Sequence, residues 1–513
     1  MPNSEQLIAA LLTPAPYPHA VSSMRVIETH ISWILLTGDF AYKVKKPVDL
    51  GFLDFSTLAA RRHACDEELR LNRRLAPDIY IDVVAIVGTP ASPRIAGDGK
   101  PFEYAVRMRQ FPDDAVLLEQ LITGQLDATD VTRLAETLAE FHATLPPAAV
   151  ETEWATPARV WTDIQDSLDQ IAATANPDNL TDAEQFCVAQ FERWQDLIGE
   201  RRAQGQVREC HGDLHLGNLV RLGQRLTAFD ALEFDPVLRW TDVMNEVAFL
   251  AMDFQVRDRD DLAFAFLNRY LMKTGDYGGL ALVPLFLAYR GLVRAKVTAL
   301  APARDGEARA RRVRALVGYA AKPLRSEPVM IITCGLAGSG KTHLSAQLAM
   351  TLPAIHLRSD VERKRMFGLD ELSRTSAEPD AGIYTAEASA ATYQRLGDLA
   401  ALVVTSGFSV IVDAACLRAD QRAALVRVAH KLDRPAVLLD CVAPRALLEE
   451  RINRRAAAGR DASEADLHIL QVQTERLEPP QPSEADAVFT VDTASEISAA
   501  SLAADIRRVT RNR

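Results

Sequence analysis

The sequence predicts two folds in series: an α+β unit with a small strand-rich lobe and a larger helical lobe, then an α/β unit built on a parallel sheet. Three observations predict this. Short β-rich runs crowd residues 30–111 and give way to helical spacing from about residue 113. From 329 to 511 strand and helix patterns alternate, as a parallel sheet covered on both faces requires. Between them, residues 300–328 read as a basic helix and then a break at Pro323 and Pro328 before the strand VMIITC. The domains are expected at 1–325 and 326–513, the first with its small lobe at about 20–112 and its helical lobe at about 113–325.

The length of 513 residues agrees with several domains, because single cores stop growing near roughly 250–300 residues. Hydrophobic residues make up 48% and charged residues 25%, an ordinary globular balance. The net charge of −11 gives no whole-molecule attraction to nucleic acid or anionic membranes. Six cysteines stand apart with no C-x-x-C pair, which argues against a disulfide framework or a zinc site and for a reducing compartment. The first residues carry no basic region ahead of a long apolar run, and no apolar stretch reaches the ~18–20 residues of a bilayer span. A cytoplasmic protein with no membrane partner is expected.

In the small lobe, ISWILLTGDF and AYKVKKPV read as strands, residues 57–76 as a helix, and IDVVAIV and FEYAVRMRQF as further strands. In the second domain, GLAGSGKT (335–342) fits G-x-x-x-x-G-K-[ST] between an apolar strand and the helical run HLSAQLAMTL. Gly335, Gly338 and Gly340 allow the backbone N–H groups of Leu336, Ala337, Ser339 and their neighbours to curl around phosphate oxygens. The helix that follows points its positive end at them. Lys341 reaches the outer phosphates, and the Thr342 hydroxyl suits magnesium.

Three more strands of this domain are read as ending in acids, at Asp360, Asp413 and Asp440. Ligands gather at the carboxyl ends of parallel strands. Asp413 is placed to support magnesium, and Asp360 to accept a proton from an acceptor hydroxyl while Arg363 holds an acceptor anion. Each acid also fits a helix N-cap. The run PRALLEERINRRAAAGRDASEAD gathers Arg451, Arg454, Arg455 and Arg460, as an arginine-bearing lid over the phosphates would, with Arg460 the candidate for nucleotide contact. An exposed helix with pairs to Glu449 and Glu450 is the alternative.

On GLAGSGKT, RSDVERK and GRDASEAD, residues 328–500 resemble the P-loop kinases that include gluconate kinase, chloramphenicol phosphotransferase, polynucleotide kinase and zeta-type toxins, domains often called AAA-family ATPases in bacteria.

The first domain holds CHGDLHLGNLV (210–220), with His211, Asp213 and Asn218 in H-x-D-x-x-x-x-N, followed by LTAFD ending at Asp230. A carboxylate beside an acceptor hydroxyl takes its proton, the role of Asp213. Asn218 and Asp230, returned by a hairpin, suit a shared magnesium. His211 is expected to fix the loop. FAYK places Lys43 to reach phosphates, with Lys45 on the same strand face as its rival, and the helix offers Glu67 or Glu68 as the pairing carboxylate, Glu68 being favoured.

This set resembles the aminoglycoside phosphotransferase and choline kinase family over roughly residues 20–320, which implies a protein-kinase-like bilobal fold ahead of the P-loop NTPase sheet. The glycine-rich loop of protein kinases is missing, with only Gly38 in its hairpin, and Asp230 is followed by Ala231 rather than by Phe-Gly. The order of domains resembles bacterial fusions of an aminoglycoside phosphotransferase domain with an ATP-binding domain. These resemblances imply ATP and magnesium as cofactors and a small-molecule hydroxyl as acceptor. Two other readings stay open: a P-loop ATPase regulated by an inactive kinase-like binding domain, and a nucleic-acid 5′-end kinase, against which the acidic chain counts.

Overall fold

A computed structural model describes residues 2–51, 53–301, 305–324, 326–375, 382–459 and 461–510. Contacts group the chain into two compact units. Unit 1 holds Met1–Asp163 and Gln195–Asp253, and unit 2 holds Ile164–Trp194 and Phe254–Arg513. The helices between Phe254 and Ala321 thus pack with the parallel sheet, although the break in sequence pattern falls near residue 325.

Unit 1 is built on a six-stranded antiparallel sheet. Its strands are β1 (Arg25–Glu28), β2 (Ser32–Leu36), β3 (Phe40–Lys45), β4 (Tyr80–Thr89), β5 (Ser92–Ile95) and β6 (Pro101–Arg109), in the order β1-β2-β3-β6-β4-β5. Alternation along β3 sorts its side chains between two buried faces. Tyr42 and Val44 join Leu35, Val84 and Ile86 on one face, against Leu7 and Leu11 of the first helix. Ala41 joins Leu36, Cys65, Tyr80 and Val106 on the other, against the helix Leu58–Asn72. That helix starts at Thr57, whose hydroxyl caps Ala60 N at 3.1 Å. Lys43 and Lys45 fall on the same face as Ala41, so both ammonium groups are driven under the helix.

Two small antiparallel pairings position the loops of unit 1. β7 (Val207–Glu209) pairs with β10 (Trp240–Asp242), and β8 (Leu219–Leu222) with β9 (Arg225–Ala228). The expected strand ending at Asp230 stops at Ala228, because Asp230 leaves strand geometry with φ +62°.

In unit 2, β11 (Met330–Cys334), β12 (Ala354–Arg358), β13 (Ser409–Asp413), β14 (Ala436–Val442) and β15 (Ala487–Asp492) form a wholly parallel sheet in the order β12-β13-β11-β14-β15. The central strand reads MIITC and is buried along its whole length, the pattern of a strand covered on both faces. Two expected strand ends shift. β12 stops at Arg358, and Asp360 lies in the first turn of the helix Ser359–Met366. β14 continues two residues past Asp440, where its pairing with β15 extends to Val442.

The helix Asp260–Thr274 packs on this sheet's β12 side: Phe264 meets Phe408 with ring centroids 6.2 Å apart, and Met272 packs with Val361 and Ala462. Among the described residues no helix is long and apolar enough to cross a membrane. The six cysteines are free and buried.

Candidate active sites

In unit 1 the two strand lysines meet the helix carboxylate together. Lys43 Nζ lies 2.9 Å from Glu68 Oε1 and also pairs with Asp230, while Lys45 Nζ lies 2.5 Å from Glu68 Oε2 and also pairs with Glu233. Glu68 is fully buried and Lys45 likewise. The choice between the lysines resolves into a division of labour: Lys43 ties the helix to Asp230, and Lys45 ties it to Glu233. Glu67 turns elsewhere, to Arg70 and Arg239. Burial alone would lower the Lys43 ammonium, but Asp230, Glu68 and Glu233 outweigh it and hold its pKa well above the ordinary lysine value. Burial would raise the Asp230 carboxyl, and the Lys43 charge and hydrogen bond hold it below the usual range.

The β8–β9 hairpin carries Asn218 at one foot and Phe229 at the other, and Phe229 N donates to Asn218 O at 2.9 Å. This closes the loop so that Asn218 Nδ2 donates to Asp213 Oδ2 and to Asp213 O, both at 3.0 Å. His215 Nε2 stands 3.4 Å from the same carboxylate. Asp213 therefore has a set orientation while its side chain stays 38% exposed, open enough to meet a ligand. Asp230 sits in the left-handed region, a cost of roughly 1–2 kcal/mol for a non-glycine residue. Two hydrogen bonds hold it there: Asp230 N donates to Tyr80 Oη at 3.0 Å, and Ala231 N to Asn72 Oδ1 at 2.8 Å.

The sequence reading missed what supports this loop. Glu246 is fully buried and accepts from His211 N at 3.1 Å and Gly212 N at 2.9 Å, with His142 Nε2 at 3.2 Å. Asp253 accepts from Leu216 N at 2.9 Å. His211 Nε2 lies 2.9 Å from Phe229 O, which agrees with a loop-fixing position. Two acids in the mostly apolar helix Val243–Gln255 were the available signal. Burial pushes the Glu246 carboxyl up, but His142, His211 and the Gly212 N–H bring it down to about 2. A folded pKa below the ordinary 4.5 adds stability that is complete above 4.5 and is lost as pH falls toward 2. Glu246→Gln is expected to lose about 3 kcal/mol near neutral pH. The difference from wild type should shrink below pH 4.5 in denaturant titrations at several pH values, and a pH-independent loss would refute the assignment.

A cavity of about 290 Å³ opens beside this ion-pair cluster, lined by Asp54, His63, Glu67, Glu233 and Arg239 among others.

In unit 2 the loop from Gly335 to Gly340 joins β11 to the helix Lys341–Thr351. Two glycines are sterically required. A Cβ on Gly335 (φ +132°) would lie 2.4 Å from Cys441 O, and one on Gly338 (φ +78°) would lie 2.6 Å from Leu448 O. Lys341 Nζ bridges the loop, donating to Gly335 O at 2.8 Å, Leu336 O at 2.7 Å and Ser339 Oγ at 3.3 Å. Burial lowers its pKa below the ordinary value, opposed by Asp413 and Asp360. Ala337 N donates to Gln473 Oε1 at 2.7 Å. Asp413 ends β13, 4% exposed. Burial would raise its carboxyl, but His356, Arg358 and a hydrogen bond from Thr342 hold it below the usual range. Asp360 is half-buried in its helix turn.

The arginines divide. Arg451 Nη1 donates to Gly338 O at 3.3 Å and to Thr493 Oγ1 at 2.9 Å, bracing the loop from behind. Arg454 pairs with Glu450 at the surface, and Arg455 donates to Ala465 O at 2.6 Å. Arg460 lies outside the described residues. Arg363 does not face an open acceptor site: it is 8% exposed and donates to Ile383 O at 2.9 Å, because its helix packs that face inward.

Both sites fit magnesium by donor chemistry, since it takes hard oxygen ligands. In unit 1 the Asn218 amide spends its N–H on Asp213, and Asp230 is held ionised. In unit 2 the Thr342 hydroxyl helps to hold the Asp413 carboxyl ionised.

Fold and site together define a kinase-type protein with two domains. A model of the Phosphotransferase enzyme family matches residues 57–283, and a model of an AAA domain matches residues 330–480. The chain belongs to the family of the uncharacterized protein Rv2004c of Mycobacterium tuberculosis (strain ATCC 25618 / H37Rv), to which it is 30% identical over 444 residues, 85% of this chain and 87% of that protein. Among solved structures it is similar to a choline/ethanolamine kinase family protein from Mesorhizobium loti (12% identity, 63% of this chain and 95% of that one, TM-score 0.39). It is also similar to a gluconokinase from Sinorhizobium meliloti 1021 (22% identity, 37% of this chain and 97% of that one, TM-score 0.26).

Proposed function

We propose that this protein transfers the γ-phosphoryl group of ATP to the hydroxyl of a small molecule, with one kinase-type site in each domain. The observation that carries the reading is Lys43 held between Glu68 and Asp230 beside the oriented pair Asp213 and Asn218. In this reading Asp213 takes the proton of the acceptor hydroxyl as its oxygen attacks the γ-phosphorus. The bond to the β-phosphate oxygen breaks and ADP leaves. Asn218 keeps the Asp213 carboxylate turned to the acceptor, and Lys43 carries positive charge to the phosphates. Magnesium, held by Asn218 and Asp230 here and by Thr342 and Asp413 in unit 2, would neutralise phosphate charge. In unit 2 Lys341 exchanges loop carbonyls for phosphate oxygens, and Asp360 faces the acceptor. Arg460 is proposed to reach the nucleotide from the lid. The domains are taken as 1–325 and 326–513, in a cytoplasmic enzyme.

The test is a phosphate-transfer screen of the full chain with ATP, magnesium and a panel of sugars, amino alcohols and nucleosides, read by ³¹P resonance. A new phosphate ester with matching ADP supports the reading. ATP turnover to free phosphate alone, across the panel, counts against it.

One observation favours a second reading, in which unit 1 senses a ligand without transferring phosphate. The β2–β3 turn comprises only Thr37, Gly38 and Asp39, and Gly38 N is already given to Gln110 Oε1 at 3.0 Å. Fewer N–H groups are then left to cradle phosphates.

A further inference from the structure

We propose that Asn268 and His356 are positioning residues for the P-loop site, setting Asp413 for its metal from outside the sheet. The inference rests on the reading of Thr342 and Asp413 as the magnesium side of that site.

β12 is an edge strand, and among the described residues no strand pairs with its outer side. Asn268, on the helix Asp260–Thr274, supplies the missing partner. Its Nδ2 donates to Ala354 O at 2.9 Å, and its Oδ1 accepts from His356 N at 2.7 Å. A carboxamide offers a donor and an acceptor in one plane, so a single side chain imitates one residue of a neighbouring strand. The two bonds also fix which amide atom is which, since His356 N–H requires an oxygen. Asn268 is 9% exposed, and Arg269 anchors the same helix to Glu371 at 2.6 Å.

The residue pinned in this way then reaches the site. His356 is 4% exposed, and its Nε2 stands 3.1 Å from Asp413 Oδ2. Against an ionised carboxylate, Nε2 carries the hydrogen and donates. Register explains the reach. On β12, Ala354, His356 and Arg358 share one strand face, and Arg358 stands level with Asp413 on β13. Arg358 Nε remains 3.9 Å away, so His356 makes the direct hydrogen bond. A carboxylate with one oxygen tied to a buried donor presents the rest of its lone pairs in a fixed direction, the arrangement by which outer partners tune metal ligands.

The experiment titrates magnesium into the full chain at a fixed concentration of a fluorescent non-hydrolysable ATP analogue. The signal that disappears in Lys341→Ala is taken as that of the P-loop. His356→Ala is expected to raise the magnesium concentration for half-saturation by about 10–100-fold. Magnesium-free nucleotide affinity should stay within about twofold, because the loop glycines and Lys341 are untouched. His356→Gln, which keeps an N–H donor, should recover most of the loss. Asn268→Ala should move the magnesium midpoint in the same direction by a smaller factor while leaving the magnesium-free affinity alone. If Asp413→Asn shifts the midpoint and neither His356→Ala nor Asn268→Ala does, the inference is overturned and the metal reading stands. If Asp413→Asn shifts nothing, the metal reading falls first and takes the inference with it. Equal loss of magnesium-dependent and magnesium-free binding in both alanine variants would show general damage to the fold and also overturn it. Should His356→Ala fail to fold, Asn268→Ala and His356→Gln decide the matter.

Discussion

On the proposed function, replacing Asp213 with asparagine is expected to lower acceptor phosphorylation in unit 1 by about 10²–10⁴-fold, the range that a positioned general base contributes. The substitution keeps shape and removes the charge that accepts a proton. Asn218 Nδ2 and His215 still find an oxygen to meet, so the loop between His211 and Asn218 should hold its form. Nucleotide affinity should change little, since Lys43, Glu68 and Asp230 are not touched. The measurement is ester formation on an acceptor found in the screen, in a chain that also carries Lys341→Ala so that the P-loop is silent. Turnover equal to that of the Lys341→Ala parent would remove Asp213 from the chemistry, and no turnover in that parent would favour the sensor reading.

Lys341→Ala is expected to abolish nucleotide binding at the P-loop, with affinity falling about 100-fold or more. A half-buried lysine that loses its ligand role removes a charge-assisted bond to phosphate of roughly 1.5–3 kcal/mol per contact. Here the side chain also spans the loop through Gly335 O and Leu336 O, so its loss loosens the cradle as well. Calorimetric titration with a non-hydrolysable ATP analogue and magnesium should show two sites in the wild type and one in the variant. One site in the wild type, absent in the variant, would leave the P-loop as the sole nucleotide site. Two sites in both would show that Lys341 grips no phosphate.

The elements were legible where local chemistry decides them. GLAGSGKT carries its own geometry, because Gly335 and Gly338 admit no Cβ and the strand before them is wholly buried. The spacing of Asp213, Asn218 and Asp230 likewise encodes the hairpin that returns the last acid. What escaped the sequence was anything set by packing between distant segments. Strand alternation put Lys43 and Lys45 on one face but could not say that Glu68 would hold both and that Glu233 would take the second. Arg363 read as an anion clamp because its charge was visible and its burial was not. Asp360 read as a strand end because Ser359 and Asp360 give no apolar signal either way, and only the helix that follows decides. His356 left a faint trace, a histidine alternating with Arg358 in a strand otherwise made of Ala, Ile and Leu.

The helix Asp260–Thr274 belongs by sequence to the stretch that matches the Phosphotransferase enzyme family, and by packing to the parallel sheet. The point where this gene can be read as two parts is thus not the point where the protein can be taken apart. A fragment begun at residue 326 would lose Asn268, Phe264 and Met272 together, leaving an apolar flank and an unsatisfied strand margin to find each other in neighbouring molecules. Exchange at residue 326 of the P-loop half with that of another protein would meet the same obstacle, because the helices from Phe254 to Ala321 would be inherited apart from the sheet they cover.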